Sequence, residues 1–355
     1  MKIIHKHQIS VTGNILRPLG LDTVGAHDVD ISWFFYLLRP ALASLMGREN
    51  VELFISKDAS VESIYRDLGL SLDAYSYAKI HDDHEQYHEV LSKHLSEFNG
   101  RTIIGFELPP IIKHYLDRSG GIYIDFRISP IRFCHDLILS ATSNSNQIYE
   151  KLVEYRIADE NFFTAADYIK AAMTHLPAID LIKDSAIFVG QKMFDTALIK
   201  DKTFVDESCF INQILKTARN CRAVYYKPHP YKNVKSEKIL YSELSKVANI
   251  SYTSENIYKL LSYCEDAHCE LYGMTSSVLD EAKYFGVTAH RGIPLENTII
   301  PDISTYIALG NAPLTTKFWS QLLEMNIAGS GIAAPPEGIL KRTLGLSWGM
   351  ADLTK

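Results

Sequence analysis

Strands and helices alternate twice along this chain, and no other feature constrains its fold as strongly. In the first half, helical stretches separate short apolar segments that are typical of strands: VELFIS, RTIIGFE and GIYIDFRI. The second half repeats the pattern with SAIFVGQ, RAVYYK, NISYTS, CELYGM and GVTAHRG. This alternation is the signature of α/β layers with mostly parallel sheets. The sequence therefore predicts an α/β protein with two Rossmann-like domains that face an interdomain cleft.

The length of the chain supports the division into two domains. At 355 residues it exceeds the size at which a single hydrophobic core stops growing. We expect an N-terminal domain over residues 1–180, a C-terminal domain over residues 181–326, and a linker and helix over residues 327–355. The linker is indicated by the segment GSGIAAPPEG, after which the chain either packs back on the body or leads to another module.

The composition is that of an ordinary soluble protein, with 46% hydrophobic and 22% charged residues. A formal net charge of −6 argues against a nucleic-acid partner, which would need a basic face. The N-terminal segment MKIIHKHQISVTGN has no apolar export signal, and the five cysteines lack a paired CxxC pattern. We therefore expect a protein of the reducing cytoplasm.

The most apolar segment, ISWFFYLLRPALASLMG, is predicted to form a core helix. Arg39 and Pro40 interrupt it, and the stretch on either side is too short to span a bilayer. We expect at most a peripheral association with a membrane.

Polar residues follow several predicted strands, and doubly wound folds bind their ligands at such strand ends. Because these positions belong to two α/β units, we expect them to line one cleft. The residues are Gln191 and Asp195 after SAIFVG, Lys227 and His229 after RAVYY, Thr275, Ser276 and Ser277 after CELYGM, and Asp125 and Arg127 after GIYI.

The segments KPHP and TSS together indicate a phosphate site. Pro228 and Pro230 hold Lys227 and His229 in extended conformations, which either places two donors on one side or simply ends the strand. Hydroxyl groups at a helix start cap free N–H groups, and the same helix end favours a phosphate. Either segment alone has an ordinary structural explanation, whereas the combination favours an anionic ligand.

These residues resemble a known pattern. A KPHP strand end followed by a TSS helix start is similar to bacterial GT-B glycosyltransferases that use CMP-activated acid sugars, namely sialyltransferases and Kdo transferases. The closer resemblance is to the β-Kdo glycosyltransferases of capsule and O-antigen assembly, which carry a Q-x-x-x-D-like segment that VGQKMFDTAL matches. The resemblance covers mainly residues 120–290.

The resemblance implies an activity and its partners. It implies a GT-B-like fold in which the C-terminal domain binds a CMP-sugar, either CMP-Kdo or a sialic acid donor, since both sugars carry a carboxylate. The N-terminal domain would then face a glycan or glycolipid acceptor. It further implies lipopolysaccharide or capsule synthesis at the inner face of the inner membrane, alongside other polysaccharide-synthesis modules. The CMP-sugar is a substrate, and neither a cofactor nor a metal ion is expected.

The chemistry of such a donor suggests roles for the catalytic residues. The phosphate leaves a quaternary carbon, so the transition state resembles an oxocarbenium ion and needs charge stabilisation. The resemblance implies retention, and retention by double displacement calls for a carboxylate nucleophile. Asp195 is the candidate, unless it only caps the next turn. His229, helped by Lys227, would contact the departing phosphate.

The remaining candidates hold the donor or activate the acceptor. Asp125 would orient or deprotonate the acceptor hydroxyl, at a position where the family more usually has glutamate. Arg127 and Arg132 would hold the donor carboxylate, or else form surface ion pairs. The other predicted donor-binding residues are Gln191, Thr275, Ser276 and Ser277.

Two other classes of function remain open. The segment HEQYH places His84, Glu85 and His88 in the H-E-x-x-H pattern of zinc metalloproteases, on a stretch that is predicted to be helical. The two histidines equally suit the edge of a core, and no third ligand follows them. A non-catalytic protein that binds a nucleotide sugar is the other class, because a fold does not determine a function.

Overall fold

The computed structural model describes residues 8–18, 26–82, 86–191, 195–205, 207–229, 242–247, 249–292, 305–327 and 331–345. Strands are numbered in chain order as β1 (Ile9–Gly13), β2 (Val51–Leu53), β3 (Thr102–Phe106), β4 (Ile122–Ile128), β5 (Leu139–Ser143), β6 (Ala186–Val189), β7 (Ile199–Lys200), β8 (Thr203–Phe204), β9 (Val224–Lys227), β10 (Ile250–Tyr252), β11 (Glu270–Gly273), β12 (Ala289–Arg291) and β13 (Ile307–Gly310). Helices with described bounds are α1 (Ala26–Met46), α2 (Val61–Asp67), α3 (Ala74–Asp82), α4 (His88–His94), α5 (Pro110–Arg118), α6 (Asn146–Glu154), α7 (Asp159–Met173), α8 (Glu207–Ala218), α9 (Ile257–Cys264), α10 (Val278–Glu281), α11 (Thr316–Leu322) and α12 (Ile339–Leu344).

The first sheet has six strands in the order β13-β5-β4-β3-β1-β2. Strands β2, β1, β3 and β4 are parallel, and β5 and β13 extend the sheet in antiparallel fashion. Every residue of β1 and β3 is buried, as expected of parallel strands that are covered on both faces. The strand order reverses between β1 and β3, which makes their carboxyl ends a potential ligand-binding point.

The second sheet has five parallel strands in the order β10-β9-β6-β11-β12. This order, which starts at β6 in the middle and grows first to one side and then to the other, is that of doubly wound nucleotide-binding folds. The predicted α/β class with two Rossmann-like units is therefore confirmed.

Helix α1 packs in the core of the first unit. Phe34, Leu38 and Leu42 are completely buried and contribute to the same apolar cluster as β1 and β4. Within this helix, residues 27–46 have the length and hydropathy that a membrane span requires, and this is the one such helix in the described part of the chain. Its buried face agrees with the predicted core helix.

The end of the chain returns to the first sheet. Strand β13 pairs with β5, and Trp319 of α11 is completely buried beside α1. The Asp136 carboxylate accepts hydrogen bonds from the backbone N–H groups of Leu340 and Lys341, which fixes the start of α12. Residues 307–322, which the sequence analysis assigned to the C-terminal domain over 181–326, thus pack with the N-terminal sheet.

An aromatic seam joins the two units. Phe133, from the segment between β4 and β5, packs edge-on against Tyr258, Tyr284 and Phe285 of the second unit. Phe162 of α7 packs against Tyr284 in the same cluster. Because these rings are buried together, the seam fixes the carboxyl edges of the two sheets relative to each other.

Candidate functional site

The candidate site begins at the carboxyl edge of the second sheet. Strands β9, β6 and β11 are parallel neighbours, so their last residues Lys227, Val189 and Gly273 lie at one edge. The strand order reverses between β6 and β11, and doubly wound sheets bind ligands at such a reversal. The topology therefore makes the residues that follow these three strands the candidates for ligand binding.

Gln191 and Thr275 are hydrogen-bonded to each other across this reversal. The side-chain amide of Gln191 donates to the Thr275 hydroxyl, and the Thr275 backbone N–H donates to Gln191 Oε1 at 3.0 Å. The reciprocal pair holds the Gln191 side chain between β6 and β11. Two residues that were predicted from separate strand ends are thus brought together.

The KPHP segment lies against the same edge. The N–H group of Gly190 donates to the Lys227 carbonyl at 2.8 Å. Glycine is needed at this position, because a Cβ atom would lie 2.6 Å from the Tyr226 hydroxyl and 3.1 Å from the backbone nitrogen of His229. The His229 backbone is therefore packed directly against the residue that follows β6.

The serines of the TSS segment lie at a helix start, as predicted, but the helix is short and Ser277 does not cap it through its side chain. The predicted helix is a four-residue helix, α10, that continues as a 3-10 turn over Ala282–Phe285. Ser277 precedes α10 in a helical conformation, and its side chain makes no capping hydrogen bond within the described part of the chain. A helix this short has a small dipole. The hydroxyl groups of Ser276 and Ser277, rather than the helix end, are the polar groups that this segment provides.

Lys227 and Asp195 make local hydrogen bonds. The Lys227 ammonium donates to the Ser254 carbonyl at 3.4 Å. Asp195 precedes a 3-10 turn over Thr196–Leu198, and its Oδ1 accepts from the Ala197 N–H at 3.1 Å. This contact is the capping role that the sequence left open, and it uses one of the two carboxylate oxygens. The three residues that precede Asp195 lie outside the described part of the chain.

Asp125 does not lie at a strand end, and this prediction is corrected. Strand β4 continues to Ile128, so Asp125 lies within the strand and is completely buried. Its Oδ1 accepts from the Leu108 N–H at 2.9 Å, and its Oδ2 contacts the Lys113 ammonium at 2.5 Å and the Tyr306 hydroxyl. A buried carboxylate is tolerated only when it is paired and hydrogen-bonded in this way. Asp125 is therefore an anchor inside the sheet.

Arg127 and Arg132 contact different partners. The guanidinium carbon of Arg127 lies 3.6 Å from the centre of the Tyr306 ring, and the side chain lines a cavity between the two sheets. The backbone N–H of Arg132 donates to Glu281 Oε1 at 2.7 Å. Arg132 thus ties the segment after β4 to α10. Burial of the Glu281 side chain, which is 1% exposed, raises its pKa to about 7.

Glu107 is a functional candidate that the sequence analysis missed. It follows β3 directly, at the reversal point of the first sheet, with a φ of 55° that non-glycine residues seldom adopt. The side chain is solvent-accessible but largely surrounded by protein. This loss of hydration raises its pKa to about 7, the nearby Asp30 charge adds to the rise, and Arg17 and Arg132 oppose it.

A sequence signal for Glu107 was present. The segment RTIIGFELPP ends a strand on an acid and follows it with two prolines, as the KPHP segment follows its own strand with prolines. The neighbouring Asp30 lies on α1, and its pKa is also raised, to about 6, by burial. The pKa values of two acids near the first sheet's reversal point are thus raised towards neutral pH, which is common at functional sites.

The H-E-x-x-H segment does not form one helix. Helix α3 ends at Asp82, α4 begins at His88, and Gln86 and Tyr87 lie in a turn between them. His84 and Glu85 lie outside the described part of the chain. The His88 ring packs 5.5 Å from the Tyr115 ring, and no group of three metal-ligating side chains is found among the residues that the structure describes. The predicted helix over this segment is therefore interrupted.

Comparisons with known proteins complete the description. No family profile matches the chain, and no curated protein matches it in sequence. Among solved structures, it is similar to KpsC, a β-Kdo 2,7-transferase of Thermosulfurimonas dismutans. The identity is 12%, the alignment covers 89% of this chain and 99% of that chain, and the TM-score is 0.38.

Two UDP-GlcNAc 2-epimerases are also similar. For the enzyme of Methanocaldococcus jannaschii the identity is 10%, the coverage 95% of this chain and 98% of that chain, and the TM-score 0.31. For the enzyme of Neisseria meningitidis the identity is 9%, the coverage 98% of both chains, and the TM-score 0.29. With TM-scores this low, the α/β fold class of the chain rests on its own sheet topology.

Proposed function

We propose that the protein is a glycosyltransferase that moves a 2-keto sugar acid, Kdo, from a CMP donor to a glycan acceptor in surface polysaccharide synthesis. The observation that carries the proposal is the convergence of three strand ends at the reversal of the second sheet. Gln191 and Thr275 are hydrogen-bonded there, and the His229 backbone packs against Gly190. This edge offers hydroxyl, amide, imidazole and ammonium groups to one phosphate.

In the proposed reaction, these groups stabilise the departing CMP. The Lys227 ammonium and His229 donate to the phosphate as its bond to the anomeric carbon breaks, and the hydroxyl groups of Ser276 and Ser277 complete the contacts. The electron pair of the broken bond leaves with CMP. Because two side chains supply the positive field, the reaction is proposed to need no divalent ion.

Asp195 is the proposed nucleophile. One carboxylate oxygen forms a bond to the anomeric carbon as CMP leaves, and the acceptor hydroxyl then displaces the carboxylate with a second inversion. The capping contact with the Ala197 N–H would orient the side chain for this attack, because it holds one oxygen in place.

Glu107 replaces Asp125 as the proposed acceptor base. Asp125 is sealed within β4 by its contacts to Lys113 and Tyr306, whereas Glu107 is exposed and directly follows β3. In the second displacement, the proton of the acceptor hydroxyl passes to the Glu107 carboxylate as the new glycosidic bond forms. A pKa of about 7 suits this role, because the base then works near neutral pH.

A nucleotide panel tests the donor class. CMP is expected to raise the melting temperature more than UMP, UDP or GDP do, because the edge offers contacts for one phosphate, and a ligand that binds only the folded state stabilises it. Release of CMP from CMP-Kdo, unchanged by EDTA, is expected to follow. Stronger stabilisation by UDP contradicts the donor class, preference for a CMP-sialic acid identifies the other acid sugar, and binding without release identifies a non-catalytic protein.

Substitution of Asp195 tests the mechanism. Asp195→Asn keeps an oxygen that accepts from the Ala197 N–H but removes the nucleophile, so the variant is expected to fold and bind CMP as the parent does. Transfer is expected to fall by several orders of magnitude, and intact-mass spectrometry with CMP-Kdo is expected to show a sugar adduct on the parent alone. Near-parental transfer by Asp195→Asn contradicts the assignment.

A further inference from the structure

Two cysteines meet where helix α9 ends and strand β11 begins. Cys264 is the last residue of α9, and Cys269 directly precedes β11. Both are free thiols; Cys264 is completely buried and Cys269 is 5% exposed. They belong to one apolar cluster at the amino edge of the second sheet, which is the edge opposite to the candidate site.

The turn between the two cysteines has the hydrogen bonds of a Schellman motif. The Cys269 N–H donates to the Cys264 carbonyl at 2.9 Å, and the His268 N–H donates to the Glu265 carbonyl at 3.1 Å. His268 has a φ of 51°, the left-handed conformation that this motif uses at the residue after the helix cap. The motif commonly brings the side chains of its first and last residues into contact. Because both of these residues are cysteine here, the motif places two thiols side by side.

The backbone geometry brings the two cysteines close enough for a disulfide. The hydrogen bond of 2.9 Å between them, with the covalent bonds on either side of it, keeps the two Cα atoms within about 6.8 Å of each other. Disulfides span Cα distances of about 4.4–6.8 Å. A bond between the two sulfur atoms would therefore leave the end of α9 beside the start of β11.

Ser185 and Cys264 both favour a thiolate at Cys269. Ser185 is 2% exposed, and its Oγ lies 2.8 Å from Cys269 Sγ. The hydrogen bond from the Cys264 thiol lowers the pKa of Cys269, burial opposes this effect, and the Ser185 contact adds to the lowering. The same hydrogen bond, together with burial, raises the pKa of Cys264. A thiolate beside a second thiol is the arrangement of redox-sensing cysteine pairs.

We propose that Cys264 and Cys269 form a peroxide-responsive dithiol, in which Cys269 is the attacking thiol and Cys264 the resolving one. The Cys269 sulfur attacks one oxygen of hydrogen peroxide, the O–O bond breaks, and a sulfenic acid and a water molecule form. The Cys264 sulfur then attacks the Cys269 sulfur, so an S–S bond forms as the S–O bond breaks and a second water leaves. The two thiols lose two electrons, which the peroxide gains, and their protons end in the two waters.

This site lies outside the proposed glycosyl transfer. Cys269 precedes β11, whereas Thr275 and the two serines follow its carboxyl end. In a reducing compartment, disulfides are usually transient and redox-sensing, so the pair is expected to rest as a dithiol. Oxidation fastens the end of α9 to the start of β11. The proposal therefore stands or fails separately from the proposed function.

Counting the thiols after treatment with hydrogen peroxide tests the proposal. The full chain is oxidised, unfolded and alkylated, and the number of alkylated thiols is expected to fall from five to three. A dithiol reductant is expected to restore all five. Peptide mapping is expected to place the link between Cys264 and Cys269. The exposed Cys209 provides the matched control, because Cys209→Ser is expected to form the same disulfide.

Single substitutions separate the roles within the pair. Cys264→Ser is expected to stop at the sulfenic acid of Cys269, which dimedone traps, because the resolving thiol is missing. Cys269→Ser is expected to give neither the sulfenic acid nor the disulfide. Ser185→Ala is expected to raise the pH of half-maximal reaction and to slow the reaction at neutral pH roughly 3- to 10-fold, since the thiolate loses one hydrogen bond. Asp184, whose charge also acts on Cys269, is unchanged in this variant.

Three outcomes overturn the proposal. They are five alkylated thiols after peroxide, a link from Cys269 to Cys221, which lies within its electrostatic reach, and sulfenic acid trapped at the parental rate in Cys269→Ser. Thermal unfolding shows whether each variant folds, and if Cys264→Ser does not, the peptide map of the parent decides. If CMP fails to bind while the Cys264–Cys269 disulfide forms, the proposed function is wrong and the dithiol stands.

Discussion

Glu107 and Glu281 have the same raised pKa, of about 7, in two very different settings. Glu107 lies at the carboxyl edge of the first sheet, is solvent-accessible and has a positive φ. Glu281 lies beneath the seam between the two units, is 1% exposed, and accepts hydrogen bonds from the Arg132 N–H and the Tyr258 hydroxyl. Loss of hydration raises both pKa values, but only Glu107 is exposed to solvent.

The comparison shows that a raised pKa can affect either the reaction rate or the stability of the fold, depending on where the acid lies. Because Glu107 is exposed and is the proposed acceptor base, its titration is expected to appear in the rate of the reaction. A proton on Glu281 is enclosed by the aromatic seam, so its titration is expected to appear in the free energy of unfolding. Exchanging each acid for its amide therefore separates the two regions.

The largest expected effect is that of Glu107→Gln on the reaction rate. A base must be ionised to accept a proton, so the parent rate is expected to rise with pH through about 7, and the variant is expected to lose this dependence. Loss of a general base typically lowers the rate by roughly 10²- to 10⁴-fold. Measured kcat–pH profiles check this, with CMP affinity and melting temperature expected to stay near the parental values. An unchanged pH profile in Glu107→Gln would remove Glu107 from the reaction.

A smaller effect is expected for Glu281→Gln, and on stability rather than on rate. The pKa of Glu281 rises from 4.5 in the unfolded chain to about 7 in the folded protein, so the folded protein holds an extra proton between these values. The stability that this proton provides is complete below about pH 4.5 and is lost as the pH rises through about 7. The parent is therefore expected to lose about 3 kcal/mol over this window relative to Glu281→Gln.

Urea unfolding at pH 5 and pH 8 measures this effect. The side-chain amide that Glu281→Gln introduces keeps an oxygen that can accept from the Arg132 N–H, so the variant is expected to fold. Its stability is also expected to depend less on pH than that of the parent. Its kcat is expected to keep the rise with pH that is attributed to Glu107. Parallel stability curves for parent and variant would show that Glu281 does not titrate in this window.

Much of the second sheet could be predicted from the sequence, because a buried parallel strand is a short apolar run that ends on a polar residue. SAIFVG and CELYGM are such runs, and the contact between Gln191 and Thr275 follows once both are placed side by side in a parallel sheet. The first sheet was harder to predict from the sequence. Strand β13 reaches the sheet from the far end of the chain and pairs antiparallel to β5.

The burial and the pKa values of the acids could not be predicted from the local sequence. Asp125 looks like a strand-end acid in GIYID, yet its burial depends on Tyr306, which is 181 residues away. The pKa of Glu107 depends on crowding by other elements and on the charge of Asp30 on α1. Both properties arise from contacts between distant segments, and strand-end reasoning treats every such acid as exposed.

The smallest expected effect is that of Tyr258→Phe, and it tests what stabilises the charge of Glu281. The Tyr258 hydroxyl donates to Glu281 Oε1 at 3.2 Å, and this hydrogen bond lowers the pKa that burial raises. Without it, the ionised carboxylate is less stable, so the pKa of Glu281 is expected to rise further and the loss of stability to extend to higher pH. The net change at pH 8 is expected to be about 1 kcal/mol, the usual value of one hydrogen bond. Unfolding curves measured for Tyr258→Phe alone and combined with Glu281→Gln test this. The pH-dependent part of the destabilisation is expected only when Glu281 is present. If it persists in the double variant, another group in the seam titrates.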